Sequence, residues 1–119
     1  MVEDVRYMFN GCKNLKTIPE NMFSGLKNLG DASNVFQDCG HLEGNIDDMF
    51  NGCVNLTYVS EAFVGCKSLK SPTRDMFKGC VRLGSIWGLF QNCSSENFTS
   101  IPEDMFSDCE NIKSIHYAF

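Results

Sequence analysis

Residues 61–69 read Glu-Ala-Phe-Val-Gly-Cys-Lys-Ser-Leu, and this stretch contains the pattern on which the whole chain is built. A phenylalanine is followed after three residues by a cysteine and after three more by a leucine. Phenylalanine recurs in this way at intervals of 13, 14 and, once, 16, at Phe9, Phe23, Phe36, Phe50, Phe63, Phe77, Phe90, Phe106 and Phe119. The position three residues later holds all seven cysteines and, once, Leu26. A half-unit of the form Phe-x-x-Cys-x-x-Leu-x-x-Ile therefore repeats along the sequence.

Two unlike half-units alternate, so the true period is the sum of 13 and 14, which is 27. One type carries a methionine before its phenylalanine, and these methionines recur at intervals of 27, 27 and 29, at Met22, Met49, Met76 and Met105. The other type contains Cys12, Cys39, Cys66 and Cys93, which recur at intervals of 27 throughout. The two additional residues follow Cys93 and indicate a small loop insertion. Because repeats of this kind stack on their neighbours, we expect residues one period apart in sequence to lie side by side.

This period predicts an α/β solenoid with leucine-rich-repeat-like coils of about 27 residues, each with two short helices and two short strands. Pro19 and Pro102 suit the first position of a helix. Two residues after each phenylalanine of the repeat from Phe9 to Phe106 stands a Gly, Asn or Asp, residues that tolerate positive φ and so end a short helix. Stretches such as residues 56–59 are typical of short strands. Such short helices are unstable alone in water, so stacking on like neighbours has to stabilise them.

In this interpretation, residues 1–119 form a single repeat domain of about four coils. Residues 5–9 match residues 115–119, so both ends fall at one phase of the period. Neither end carries the polar capping repeat that solenoids need for solubility. We therefore expect a segment of a longer array, and a small complete protein is the alternative.

The repeat resembles the BspA-type leucine-rich repeats of bacterial surface proteins. The segments EAFVGCKSLKS, at 61–71, and YMFNGCKNLKTI, at 7–18, carry the resemblance, which covers essentially residues 5–119. It implies a curved or straight α/β solenoid, secretion or display at the bacterial cell surface, and a role in adhesion or protein binding. The chain departs from common members of that class because it has two Phe-Cys elements per coil instead of one.

The composition argues against several classes of function. The chain has 15 acidic and 10 basic residues and a formal net charge of −5, without a cluster of Lys and Arg, which argues against nucleic acid as a partner. No apolar run approaches the roughly 20 residues that span a bilayer, so we expect no membrane-spanning segment. We also expect no cofactor.

The seven cysteines permit three interpretations: a disulfide framework, a metal site, or a column of reduced thiols packed as small hydrophobic groups. An odd count at a periodic position that also accepts Leu26 argues against disulfides. No CxxC pair and no histidine at ligand spacing supports a metal site. We therefore predict buried thiols. His41 closely follows Cys39, yet Cys39 is a repeat position, so we predict no catalytic and no metal-binding residue.

One outward position of the shorter half-units reads, in successive coils, Ser33, Ser60, Trp87 and His116. Tyr117 follows His116, and Tyr58 lies one coil away from Trp87. We expect Tyr58, Trp87, His116 and Tyr117 to form an exposed aromatic group. Such groups are enriched at interfaces and can stack on a sugar ring. The alternative is that Trp87 covers the coil edge near the inserted loop.

These observations predict a non-catalytic binding or adhesion module of a bacterial cell-surface or secreted protein, with a protein or a glycan as its partner. A structural spacer is the alternative. A third variant is a self-associating scaffold, because Met8, Phe9 and Phe119 would leave apolar surfaces for end-to-end contact. We do not expect an enzyme, because no coil breaks the repeat pattern with several polar groups.

Overall fold

Phenylalanines one period apart lie face to face in the computed structural model, which describes residues 3–73, 75–113 and 115–119 and, of His116, the backbone only. One column of stacked rings contains Phe9, Phe36, Phe63, Phe90 and Phe119, with centroid separations of 5.3, 5.5, 5.8 and 6.0 Å. A second column contains Phe23, Phe50, Phe77 and Phe106, with separations of 5.6, 5.6 and 5.4 Å. Stacked ring pairs add to the free energy gained from apolar burial. Successive units of the repeat are therefore neighbours in space.

Backbone hydrogen bonds join the units in register. In the first unit the N–H groups of Val5, Tyr7, Phe9 and Gly11 donate to carbonyls of the next unit, at 3.0, 3.2, 2.9 and 2.8 Å. The same row recurs one unit further on, from Ala32, Asn34, Phe36 and Asp38. Every second residue donates to the neighbouring unit, as in the ladder of a parallel sheet. These bonds satisfy the backbone groups that burial of the phenylalanines removes from water.

Regular secondary structure is short. Strand β1, Glu3–Asp4, pairs in parallel with strand β2, Leu29–Asp31. Single parallel bridges continue this pairing from Asp31 to Tyr58 and from Tyr58 to Ser85. A 3₁₀ helix spans His116–Ala118. Within the described residues there is no other helix or strand, and no helix long and apolar enough to span a membrane.

Most of the remaining backbone consists of β-turns. Around Phe9, the N–H groups of Met8, Asn10 and Cys12 each donate to the carbonyl three residues earlier. Positive φ angles flank the first seven phenylalanines of the two columns, two residues before and two residues after each ring. They occur at Tyr7, Gly11, Asn21, Gly25, Asn34, Asp38, Asp48, Gly52, Glu61, Gly65, Asp75, Gly79, Gly88 and Asn92. A positive φ at the third residue of a β-turn is the mark of type II geometry.

This backbone differs from the one expected for each coil. The sequence predicts positive φ two residues after phenylalanine, and this prediction is confirmed from Gly11 to Asn92. The two short helices per coil are not found in the described residues. The physical reason is that a left-handed residue on both sides of each ring interrupts the run of right-handed φ angles that a helix requires. The leucine-rich-repeat-like α/β solenoid stays a prediction as a class, and so does the extent of the domain.

The repeat columns form one continuous core. The central rings of both columns are fully buried, namely Phe36, Phe50, Phe63 and Phe77. The leucine column is fully buried over the same units, at Leu29, Leu42, Leu56, Leu69 and Leu83. Among the described residues, every buried side-chain nitrogen or oxygen has a hydrogen-bond partner. The apolar columns are thus buried without leaving side-chain polar groups unpaired.

Replacing Phe63 by alanine should lower the free energy of unfolding by about 3–5 kcal/mol, because its buried ring is stacked on both faces, by Phe36 and Phe90. The matched control is Phe119→Ala, since Phe119 is 52% exposed and, among the described residues, stacks on Phe90 alone. The loss in this control should be much smaller. Urea denaturation followed by circular dichroism measures both variants, and equal losses would contradict a core built from stacked units.

Candidate partner-binding surface

Tyr58 and Trp87 lie on the outer face of two adjacent units. Their side chains are 49% and 52% exposed, whereas the neighbouring residues Val59 and Ile86 are buried. Tyr58 forms a parallel bridge with Ser85, and Trp87 follows Ser85 by two residues. The N–H of Glu61 donates to the Trp87 carbonyl at 2.8 Å, so the segments that carry Tyr58 and Trp87 run side by side in adjacent units. The structure therefore brings these two predicted residues together.

The other two predicted residues belong to the 3₁₀ helix at 116–118. Tyr117 is 64% exposed, and its carbonyl accepts a hydrogen bond from the N–H of Gly88 at 2.6 Å. Since Gly88 directly follows Trp87, Tyr117 lies one unit beyond the tryptophan. The side chain of His116 lies outside the described residues, so only its backbone can be placed. Tyr58, Trp87 and Tyr117 thus occupy three successive units.

Serines occupy the positions equivalent to Trp87 in the two preceding units. Ser60 takes the place of Trp87 one unit earlier, and its hydroxyl forms a hydrogen bond of 2.5 Å with the hydroxyl of Ser85. The backbone N–H of Ser33, one unit earlier again, donates to the Asp31 carboxylate at 2.9 Å. The indole ring therefore stands beside a surface of short, hydrogen-bonded side chains.

Sequence reasoning missed a groove beside Tyr58. Its volume is about 570 Å³, and two columns supply most of its lining, namely Asn28, Asn55 and Arg82 in one and Asp4, Asp31 and Tyr58 in the other. The members of each column stand one period apart, so their proximity could have been read from the repeat. Each column mixes residue types, however, and no motif marks the groove as a site.

Arg6 links the acidic residues of this groove. Its Nε donates to Asp4 Oδ2 at 2.8 Å and lies 3.7 Å from Asp31 Oδ2. The hydrogen bond from Arg6 lowers the pKa of the Asp4 carboxyl, and the same bond raises the pKa of Arg6. Both side chains are exposed, so the pair orients the groove wall and adds little to stability. Arg82, in contrast, forms no ion pair with any described residue.

Five of the seven cysteines, which stand in two columns, donate a hydrogen bond from the thiol. The Sγ of Cys39 donates to the carbonyl of Phe9, one unit earlier, at 3.1 Å. The equivalent bonds to a phenylalanine carbonyl of the preceding unit measure 2.9, 3.1, 3.1 and 3.2 Å from Cys53, Cys66, Cys80 and Cys93. A thiol is a weak donor, so each bond is a modest addition to apolar packing. Leu26 fills the same repeat position without a donor. The packing role and the hydrogen-bonding role of the position are therefore separable.

Burial keeps these thiols protonated. Removal from water raises the pKa of Cys53 and Cys109 to about 11 and the pKa of Cys93 to about 12. It also raises the pKa of Cys39, Cys66 and Cys80. The thiolate is the form that attacks electrophiles and binds metal ions. These columns are therefore poorly suited to nucleophilic chemistry at neutral pH.

The structure also bears on the other two interpretations of the cysteines. All seven are free, five are buried, and Cys12 and Cys93 are half-buried. The prediction of buried thiols is thus confirmed for five of them. Among the described residues, no group of three or more His, Cys, Asp or Glu side chains is placed to hold a metal ion.

Two comparisons of the sequence with known proteins find no match. No model of a protein family matches the chain. No functionally characterised protein matches its sequence. The resemblance to BspA-type repeats therefore rests on the repeat pattern alone.

Stability should fall as the pH rises above the ordinary thiol pKa of about 8.5. Because the folded-state pKa values are raised, the unfolded chain releases its thiol protons first. The protonated thiols of Cys53 and Cys109 therefore make their full contribution to the free energy of unfolding below about pH 8.5. This contribution is lost between that pH and about pH 11. Each such thiol lowers the free energy of unfolding by about 1.4 kcal/mol per pH unit in this window. Urea unfolding at a series of pH values from about 8 to about 10 measures the slope.

The control for this prediction is the double variant Cys53→Ala, Cys80→Ala. It lacks two of the buried thiols, so its free energy of unfolding should fall less steeply with pH, whatever its stability at neutral pH. If the free energy of unfolding fell equally steeply with pH in this variant, the slope would not come from the raised pKa values of the buried thiols. Rapid labelling of Cys53 or Cys66 by a thiol-reactive dye in the native protein at neutral pH would contradict the burial of these thiols.

Proposed function

We propose that this chain is a non-catalytic binding or adhesion module of a bacterial cell-surface or secreted protein, and that its α/β solenoid presents one face to a protein or glycan partner. The resemblance to BspA-type repeats supports the bacterial surface location and the adhesive role. The exposed side chains of Tyr58, Trp87 and Tyr117 support the choice of face. The protonated state of the buried thiols supports a role without nucleophilic catalysis.

The exposure of Tyr58 and Trp87 on adjacent units is the observation that carries this proposal. Large aromatic side chains that are half exposed gain free energy when a partner removes them from water. Trp and Tyr are also the residues whose truncation most often weakens an interface. The backbone at both positions is held in place, because the N–H of Val59 donates to Ser85 at 2.9 Å and the N–H of Glu61 donates to Trp87 at 2.8 Å. A rigid backbone reduces the entropy lost on binding.

Changing Tyr58 and Trp87 together to serine should weaken partner binding by about tenfold or more, because truncating a central aromatic residue of an interface costs on the order of 2 kcal/mol. Biolayer interferometry of the purified chain against a panel of immobilised extracellular proteins and oligosaccharides measures the affinity. Trp87 is the only tryptophan of the chain. A change in its fluorescence on addition of the partner therefore reports contact at this face.

The control variant is Val54→Ser, which removes an exposed apolar side chain that is not part of the aromatic group. It should bind as the unchanged chain does. Equal binding by the double variant and the control would contradict the proposed face. If the unchanged chain bound nothing in the panel, a structural spacer would become the better proposal.

A self-associating scaffold is the second candidate, because the outermost units expose apolar side chains. Met8 in the first unit, and Ile115 and Phe119 in the last, are about half exposed. A groove beside Ile115 is lined in part by Phe106 and Ile112. Contact between opposite ends of two copies would be heterologous, and such contacts propagate into filaments unless the rotation closes a ring.

If the ends associate, the mass measured by light scattering should rise with protein concentration, because the equilibrium follows mass action. The variant Met8→Ser, Phe119→Ser should shift this rise to higher concentration, since it removes exposed apolar surface from both ends. A monomer mass at every concentration would contradict this candidate without affecting the binding proposal.

A further inference from the structure

We infer that the groove beside Tyr58 binds a neutral saccharide. The inference rests on the proposed function, because it names the class of partner for the same face of the molecule. Four features of the groove lead to it: an exposed aromatic ring, a mixed set of hydrogen-bonding side chains, formal charges that cancel, and backbone groups that are already paired.

Tyr58 supplies a flat apolar surface at the wall of the groove. Its ring is half exposed, while its backbone is held on both sides by parallel bridges to Asp31 and Ser85. Gly30, in the unit before, lines the same groove and has no side chain. The C–H face of a pyranose ring can pack against such an aromatic surface, while the sugar hydroxyls remain at its edge.

The polar side chains around the ring offer both donors and acceptors. The Asn55 amide donates to the Lys27 carbonyl at 2.6 Å, which leaves its side-chain oxygen to accept a hydrogen bond. The Thr57 hydroxyl donates to the Asn55 carbonyl at 3.1 Å and can accept in the same way. Asn28 and Arg82 line the same groove and supply N–H donors. Each sugar hydroxyl can both donate and accept, so a polyhydroxylated ligand matches this set.

The formal charges of the groove cancel. Asp4 and Asp31 provide two negative charges, and Arg6 and Arg82 provide two positive ones. Both carboxylates are also within ion-pair distance of Arg6. An anionic ligand drawn to Arg82 would share the groove with two carboxylates, and a cationic ligand would meet two guanidinium groups. A neutral ligand makes the same hydrogen bonds without either repulsion.

The backbone of this face has little to offer an extended peptide. The N–H of Thr57 donates to the Gly30 carbonyl at 2.9 Å, and the N–H of Gly84 donates to the Thr57 carbonyl at 3.1 Å. Peptides that add to a sheet bind through main-chain groups left free at an edge. Recognition in the groove must therefore use side chains, which favours a saccharide over a peptide strand.

The test is isothermal titration of the purified chain, residues 1–119, with hexasaccharides of glucose, mannose, galactose and N-acetylglucosamine, and with a hexasaccharide of galacturonic acid. At least one neutral probe should bind. Its affinity should change by less than about twofold between low and high salt, because no ion pair is involved. Tyr58→Ala should weaken this binding by about tenfold or more. Tyr58→Phe should retain it within about threefold, because the ring remains.

Val81→Ser is the matched control, since it removes an exposed apolar side chain outside the groove lining and should leave the affinity unchanged. Circular dichroism and urea unfolding establish that each variant is folded. The inference is overturned if no neutral probe binds, if only the galacturonate probe binds and does so in a salt-dependent way, or if folded Tyr58→Ala binds as well as the unchanged chain. A protein partner that depends on Trp87 would in each case leave the proposed function standing.

Discussion

The register between successive units is the constraint on which the rest of the structure depends, because three kinds of contact use it at once. Each ring stacks on the ring one period away, each N–H of the ladder meets a carbonyl of the next unit, and each bonded thiol meets a carbonyl of the unit before. A shift by one residue would break all three. Across the two-residue insertion after Cys93 the rings of Phe77 and Phe106 remain stacked 5.4 Å apart. The N–H of Gly79 there donates to the Asp108 carboxylate, whereas its equivalent Gly52 donates to a backbone carbonyl.

The same constraint decides where variation is permitted. Positions in the buried Phe, Cys and Leu columns must be apolar, whereas many of the positions between them face outward and differ from unit to unit. Trp87 follows two serines in its column, and Tyr58 stands between Asp31 and Ser85. A partner that touches several units therefore meets a surface that is chemically distinct at each step, although the backbone beneath it is regular.

The columns could be predicted from the sequence because stacking requires identical spacing, and identical spacing is visible without a structure. The backbone between the columns could not. The sequence predicts positive φ at Gly11 and its equivalents, and this is confirmed as far as Asn92, but Tyr7 and Glu61 also adopt positive φ, and bulky or charged residues carry no such signal. The same spacing of phenylalanine and Gly, Asn or Asp is therefore compatible with a short helix and with a run of β-turns. The groove was missed for a related reason: its side chains come from several columns, and only the structure shows that Arg6 and Asp4 form one of its walls.

The thiol columns affect how oxidation damages the protein. Oxidation to a sulfenic acid adds an oxygen atom to the sulfur and replaces the proton that bonds the neighbouring carbonyl, so a damaged cysteine no longer fits its place. Cys12 is half-buried, whereas Cys66 is fully enclosed. Oxidants reach an enclosed sulfur only when the units around it open. Damage should therefore begin at the more exposed sulfurs, and the rate of local opening sets how soon it reaches the enclosed ones.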